Sequence, residues 1–363
     1  MGRRFDAILK TWLEPDRLAQ TPRTLAIAFA GGAVAALIGI PAPWLSGPAI
    51  ATAIAAVQGV ELGLPRLLRE AALIFLGVSM GASVRPDTLE LMLRFPLGLA
   101  GLALAVPLVM VGVAQYLARV HGFSAPTARL AAVPGALPFV LATSEATEAD
   151  GRQVMIVQLV RLLAIAALLP TVVTLVGGHN AAPGVMPAPP GVDLIEDAIA
   201  LAAGVAGMAL FSRIGLPAPA LFGSLVAAAL LFGSGAVSSG FPAWMVLPGN
   251  LVVGAMTGAS FSGADRSMLA RTMPAALGAV VVGSLISLVC AVPVALAAGL
   301  PLMQVWLAYA PGAVETMAIV TLALGYDAAF VGAHHIARFF GLTILVPIWI
   351  RPFLVRRIGS ARD

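Results

Sequence analysis

Apolar runs of about 20 residues recur along almost the whole chain. An α-helix needs a run of about this length to cross a bilayer. Of the 363 residues, 60% are hydrophobic and 10% are charged, against roughly 25% charged in soluble domains. A water-soluble fold cannot bury that much apolar surface. The sequence therefore predicts an all-α polytopic membrane protein, with the lipid bilayer as its main partner.

The two halves of the chain share a pattern of motifs at a nearly constant offset. GIPAP at 39–43 returns as GLPAP at 215–219, and PGA at 134–136 returns at 311–313. The offset is 176 at the first block and 177 at the later ones, held as far as residue 170. Single Gly and Pro matches are weak, but a constant offset over this distance indicates an internal duplication.

Charge predicts the orientation of the chain in a bacterial inner membrane. Both termini are basic, and the linker between the halves has no Lys or Arg, so the termini are expected in the cytoplasm and the linker outside. The predicted organisation is an amphipathic cytoplasmic segment at 1–23, a first membrane repeat at 24–177, a periplasmic linker at 178–194, a second membrane repeat at 195–350 and a basic cytoplasmic tail at 351–363.

This orientation requires an odd number of crossings in each half, although six apolar segments are visible. The fifth is the one expected not to cross, because Pro134 and Gly135, or Pro311 and Gly312, interrupt it. We predict two inverted repeats, each of about five transmembrane helices plus one broken or re-entrant segment, as in many secondary transporters. Twelve full crossings with parallel halves is the alternative. PGN at 248–250 marks a second possible break.

Glu315 stands beside one of these predicted breaks. Ionisable residues at membrane depth are costly, so they are candidates for function by default. A carboxylate beside free backbone amides can bind a cation or carry a proton, while capping of the next helix is the equally weighted structural reading. Thr316 adds a hydroxyl. The position equivalent to Glu315 in the first half is Pro138, which makes the site asymmetric.

Arg161 and Arg338 are equivalent residues inside the sixth segments. An arginine keeps its charge, so each needs a partner. In one interpretation, both guanidinium groups face a substrate carboxylate or phosphate. The alternative is a set of internal ion pairs. Arg338 would then pair with Glu315, and Arg161 with Glu145 or Glu148.

His334 and His335 precede Arg338 by about one helical turn. Histidine titrates near neutrality, which suits proton coupling. Gln158 is the equivalent of His335, so a hydrogen bond is the role that both can share. Neither HxxxH nor HxxEH spacing occurs, and we expect no metal site and no cofactor.

Other motifs exclude several classes of function or predict structural roles. The absence of GxxxxGK and GxGxxG spacings argues against an enzyme, and scattered arginines argue against a nucleic-acid partner. The sequence does not determine the oligomeric state, and a homo-oligomer is one option. Asp150 and Asp327 are expected to cap the sixth segments. The glycine pairs 77/81 and 254/258 are expected to pack helices closely.

Three stretches carry a resemblance to a known family: GIPAPWLSGPAI at 39–50, GLPAPALFGS at 215–224 and APGAVETMAIVTLALGYDAAFVGAHHIARFF at 310–340. They resemble the AbrB family of duplicated bacterial membrane proteins. The resemblance spans about residues 24 to 350, and the PGA-x-E and HH-x-x-R blocks are its most specific parts. Members of that family have been labelled both transcriptional regulators and ammonia monooxygenases.

Neither label fits these residues directly. A DNA-binding regulator needs a soluble basic reading module, and a monooxygenase needs a copper or iron ligand set. We therefore favour a secondary transporter, in one version proton-coupled, that moves a small polar or anionic metabolite. A membrane-embedded regulator acting indirectly on gene expression is the alternative, and a metalloenzyme is third. The predicted substrate- or ion-binding residues are Gln158, Arg161, Glu315, Thr316, His334, His335 and Arg338.

Overall fold

A computed structural model describes residues 14–82, 84, 95–134, 140, 144, 147–177, 193–215, 218–238 and 243–360. Within these ranges the regular structure is helical throughout. In the first half the helices are α1 Pro15–Leu37, α2 Pro43–Val57, α3 Arg66–Gly81, α4 Phe95–His121, α5 Ala125–Ala131 and α6 Gly151–Gly177. The predicted all-α fold is confirmed.

The second half repeats this order of helices. After α7 Leu194–Arg213, a π-helical turn at Pro219–Gly223 leads directly into α8 Ser224–Gly233. There follow α9 Ala243–Ala259, α10 Arg266–Ala298, α11 Leu302–Tyr309, α12 Val314–Ala323 and α13 Ala328–Ser360.

Five of the described helices are long and apolar enough to cross a membrane: α4, α6, α7, α10 and α13. Large apolar side chains on them face outward, including Leu175 and Leu296, whose exposed fractions are 78% and 79%. In water such exposure is costly, whereas in lipid it is the favourable arrangement. The chain is therefore an all-α polytopic membrane protein, as the sequence predicts.

The chain divides into two compact units, each built from both halves. Unit 1 comprises Met1–Leu93, Ala166–Gly263 and Val314–Gly332. Unit 2 comprises Arg94–Ile165, Ala264–Ala313 and Ala333–Asp363. The long helices α6 and α13 each contribute residues to both units.

In unit 1, close helix packing repeats between the halves. A Cβ atom on Gly77 of α3 would lie 2.5 Å from the Leu221 carbonyl oxygen. A Cβ atom on Gly254 of α9 would lie 2.5 Å from the Leu45 carbonyl oxygen of α2. Gly77 and Gly254 are equivalent residues, and so are Leu45 and Leu221, so the two contacts are reciprocal. The predicted role of these glycines in close packing is confirmed.

Unit 2 is centred on the pair α4 and α10. Gly101 of α4 lies against Val294 of α10, whereas Gly278 of α10 lies against Tyr116 near the other end of α4. Residue numbers therefore rise along one helix as they fall along the other, and the two helices are antiparallel. Helix α13 is joined to α5 by Trp349, whose Nε1 donates to the Arg129 carbonyl oxygen at 3.0 Å.

The predicted helix caps are confirmed. The Asp150 carboxylate accepts hydrogen bonds from the backbone N–H groups of Arg152 and Gln153, and Asp327 does the same for Ala329 and Phe330. Asp265 caps α10. The Ser267 hydroxyl and the N–H groups of residues 267 and 268 hold the pKa of that exposed carboxyl below its usual range, because they stabilise its charged form.

The second possible break, at 248–250, was wrong. Helix α9 continues through Pro248 from Ala243 to Ala259. A proline in a helix removes one hydrogen bond and usually bends the helix, but neighbouring helices can support the continuous form. Helix α1 begins at Pro15, so it includes the end of the predicted surface segment; residues 1–13 lie outside the described ranges.

We expect Gly254→Ala to lower the free energy of unfolding by about 1–3 kcal/mol, because the new methyl group overlaps backbone atoms of α2. Gly341→Ala on α13 is the matched control. A Cβ atom there meets nothing within 4 Å, and alanine favours a helix by up to about 1 kcal/mol. Thermal unfolding of the detergent-solubilised protein measures both. Equal midpoints for the two variants would contradict the close contact.

Candidate functional site

Helices α5 and α11 both stop at a proline inside the protein. Helix α11 ends at Tyr309 and α12 begins at Val314, with Pro311 and Gly312 between them. Helix α5 ends at Ala131, and the chain continues as non-helical backbone through Pro134; Gly135 lies outside the described residues. A helix end leaves carbonyl groups without a backbone donor, and in apolar surroundings such groups are costly.

The proline determines which carbonyl loses its donor. In an α-helix the carbonyl of residue i accepts from the N–H of residue i+4, and proline has no N–H. Pro311 therefore deprives the Leu307 carbonyl of its donor, and Pro134 deprives the Leu130 carbonyl. The Leu130 carbonyl accepts the backbone N–H of Val133 at 3.3 Å instead, whereas the Leu307 carbonyl takes its donor from another part of the chain.

His335 supplies the donor in the second half. Its Nε2 lies 3.2 Å from the Leu307 carbonyl oxygen, and a carbonyl can only accept, so Nε2 carries the proton. Arg338, one turn further along α13, donates to the carbonyl oxygens of Ala310 at 2.7 Å and Gly312 at 2.8 Å. Both side chains are almost fully buried. We refer to His335 and Arg338 with these carbonyls as the second-half arginine site.

Gln158 and Arg161 make the equivalent contacts in the first half. Gln158 Nε2 donates to the carbonyl oxygens of Leu130 and Val133, both at 3.3 Å. Arg161 donates to the Val133 carbonyl at 2.9 Å and to Gln158 Oε1 at 3.0 Å. We refer to this group as the first-half arginine site. Its residues 130, 133, 158 and 161 are related to 307, 310, 335 and 338 by the same offset of 177.

A buried cation suits this position for a second reason. The carbonyl end of a helix carries a partial negative charge, so a guanidinium group there is stabilised by the helix dipole. Each arginine thus satisfies broken-helix carbonyls and complements the field of a short helix. The predicted ion pair of Arg161 with Glu148 is wrong within the described residues, because the carbonyl and amide oxygens take its place. Glu145, the other predicted partner, lies outside them.

His334 lies on another side of α13. Its ring centroid is 6.1 Å from that of Tyr309, the last residue of α11, and the two rings are tilted by 44°. The Tyr309 hydroxyl donates to the Gly98 carbonyl of α4 at 2.6 Å. Tyr309 was not among the residues singled out from the sequence. An aromatic residue two positions before the Pro-Gly pair is the only signal that could have indicated it.

Glu315 and Thr316 belong to unit 1, whereas the other five predicted binding residues belong to unit 2. Glu315 is half-buried in the first turn of α12, where a negative charge is favoured by the helix dipole. The Thr316 side chain is buried, and its hydroxyl has no hydrogen-bond partner among the described residues.

A small pocket lies inside unit 2 beside Arg161. It is bounded by the end of α5, by α4, α6 and α10, and by the proline of the second-half break. Its lining residues are Val109, Val113, Ala131, Ala132, Val157, Arg161, Ala279, Gly283 and Pro311. The pocket therefore borders both proline breaks, and Arg161 is the one charged residue among the described residues that line it. In the part of the chain that the structure describes, no three His, Cys, Asp or Glu side chains are grouped closely enough to hold a metal ion.

Fold and site together define a polytopic α-helical membrane protein with two proline-broken segments and buried arginines at their carbonyl ends. A family model described as "Transition state regulatory protein AbrB" matches residues 44–354, so the chain belongs to the AbrB family. It is 26% identical over 321 residues to the "Putative regulator AbrB" of Escherichia coli (strain K12), an alignment that covers 85% of this chain and 89% of that protein.

We expect His335→Leu to lower the free energy of unfolding by about 1–3 kcal/mol, because it leaves the buried Leu307 carbonyl without a donor. His335→Gln is expected to retain most of the stability, since Gln158 makes the same bond at the equivalent position. Chemical or thermal unfolding in detergent compares the two variants. If both lose the same stability, the histidine acts by packing and not as a donor to the broken helix.

Proposed function

We propose that the protein is a secondary carrier of a small polar or anionic metabolite in the bacterial inner membrane. The observation that carries this proposal is the pocket of unit 2, which borders both proline breaks and contains Arg161. Broken helices that meet near the middle of the membrane are how many secondary transporters bind their substrates, because free backbone groups and helix ends are available there.

The proposal includes an inverted arrangement of the two halves, with both termini in the cytoplasm. Helices α4 and α10 are equivalent members of the two halves, and their contacts run antiparallel. If the two halves have opposite orientations in the membrane, their equivalent helices must pack antiparallel. The positive termini and the linker without Lys or Arg support the same orientation.

Proton coupling is part of the proposal, and His335 is its first candidate carrier. Because Nε2 donates to the Leu307 carbonyl, Nδ1 carries the lone pair in the neutral ring. Nδ1 is buried and has no hydrogen-bond partner among the described residues. It is therefore free to accept a proton, which would place a second positive charge one turn from Arg338.

Glu315 and Thr316, within unit 1, are proposed as a second pair of polar groups with a part in proton coupling. A carboxylate in the first turn of a short helix, next to a buried hydroxyl, can take up and release a proton within an apolar layer. We propose no catalytic role and no resident cofactor for these residues.

A membrane-embedded regulator is the second candidate, and the names of the family and of the Escherichia coli relative favour it. Such a protein would act on gene expression indirectly, through a partner bound at its cytoplasmic segments. It predicts a stable partner that co-purifies with the chain after mild solubilisation, and no net solute flux.

Flux into proteoliposomes tests the carrier proposal. Labelled small carboxylates, phosphate and other small polar metabolites are offered with and without a pH gradient. For the transported solute, a gradient of about one pH unit is expected to support about tenfold accumulation for each coupled proton. His335→Gln is expected to keep uptake down a solute gradient and to lose the acceleration by pH, because the amide keeps the hydrogen bond but cannot titrate.

Glu315→Gln is the companion variant, with the same expectation if Glu315 carries a proton. Gly341→Ala is the control for reconstitution, since a methyl group there meets no neighbour. Absence of flux across the whole panel, in protein that unfolds cooperatively, would reject the carrier. Unchanged pH dependence in both variants would reject proton coupling through these two residues.

A further inference from the structure

Arg161 is a buried cation that no acidic side chain among the described residues neutralises. Its side chain is 5% exposed, and its guanidinium keeps its charge. Its acceptors, the Val133 carbonyl and the Gln158 amide, are both neutral. No acidic side chain among the described residues forms an ion pair with it. A buried charge is stable when an opposite charge accompanies it, so Arg161 calls for a counter-ion.

One donor of Arg161 also remains available. The Nη atoms bind the broken helix and Gln158, whereas Nε is buried and has no hydrogen-bond partner in the described ranges. A buried donor without a hydrogen-bond acceptor lowers the stability of the fold. A ligand that brings both a negative charge and an acceptor would satisfy both needs at once.

The pocket beside Arg161 limits the size of such a ligand. Apart from the guanidinium, its wall consists of Val, Ala, Gly and Pro residues. It offers space for about one water-sized particle. An apolar wall with one guanidinium can compensate a single negative charge but not two, because a second charge would be buried without a partner.

We propose that this pocket binds a small monovalent anion of about the size of a water molecule, such as chloride, with Arg161 as its ligand. The role of this anion as the carried substrate, or as the end of the substrate that is recognised, rests on the proposed carrier function. The binding site itself does not. It is the first-half arginine site that holds the anion, because there the arginine makes only one bond to a backbone carbonyl.

Gly283 offers a way to fill the pocket without removing the arginine. A Cβ atom there would lie 3.4 Å from Val113 Cγ2 and 3.5 Å from Pro311 Cγ, which are ordinary van der Waals distances. Gly283 lies within α10, where alanine is favourable. Gly283→Ala should therefore fold normally while placing a methyl group in the anion's space. Arg161→Gln is less suitable alone, because it also disturbs the broken helix.

The experiment measures the thermal midpoint of the purified full-length protein in detergent, with sodium gluconate replaced stepwise by sodium chloride, formate or acetate at constant ionic strength. Gluconate is too bulky for the pocket and serves as the baseline. We expect chloride to raise the midpoint by about 2 °C in a saturable manner, and the larger formate and acetate to leave it at the gluconate baseline. We expect Gly283→Ala to lose this shift and Gly341→Ala to keep it.

A wild-type midpoint that does not respond to anions would overturn the proposal, because the pocket would then hold only water. An equal shift in wild type and Gly283→Ala would overturn it as well, since the anion would then act elsewhere. The two proposals fail separately. An anion-dependent midpoint without flux in proteoliposomes retains the site and rejects the carrier, whereas flux without that dependence retains the carrier and rejects the site.

Discussion

A carbonyl group four residues before a proline loses its helical N–H donor, and in an apolar layer it needs another. The rest of this structure depends on how the chain meets that requirement. The Leu307 carbonyl accepts from His335, and the Leu130 carbonyl accepts from Gln158 and from the Val133 N–H. Arg161 and Arg338 then bind the carbonyls that follow, at the free ends of α5 and α11. Two helices can thus stop inside the protein with these terminal carbonyls hydrogen-bonded, while Arg161 Nε and His335 Nδ1 keep no partner among the described residues.

Duplication explains why this solution occurs twice, and divergence explains why the two copies differ. Arg338 makes two bonds to backbone carbonyls and stands one turn from His335, the proposed proton carrier. Arg161 makes one bond to a backbone carbonyl and one to an amide, and it borders the pocket. We propose that His335 of the second half carries the proton and that Arg161 of the first half binds the anion. The reciprocal glycine contacts in unit 1 show the same duplication without this divergence.

Much of the architecture could be predicted from the sequence because it follows from periodic or repeated features. Apolar runs indicate the membrane helices, a constant offset indicates the duplication, and Pro-Gly pairs mark the broken segments. The buried arginines could also be identified, since a charge within an apolar run is conspicuous. The hydrogen-bond acceptors of these arginines could not be predicted. The sequence suggests acidic side chains such as Glu148, but the acceptors are mainly backbone carbonyls. Every residue has a carbonyl, and only the fold determines which ones lie beside an arginine.

Proline was an ambiguous signal for the same reason. Pro311 ends a helix but Pro248 does not, and the difference lies in the surrounding packing and not in the local sequence. At Pro311 a histidine and an arginine from α13 replace the lost hydrogen bonds, so a full break is stable. Tyr309 was missed because an aromatic residue in an apolar run is usually only a packing residue.

The most direct test is a cryo-electron microscopy map of the protein in lipid nanodiscs at side-chain resolution. The account predicts that α5 and α11 enter the bilayer from opposite faces and end within it. It also predicts that the guanidinium groups of Arg161 and Arg338 lie on the carbonyls of Val133 and Ala310. Continuous helices through Pro134 and Pro311, or entry of both segments from the same face, would contradict it.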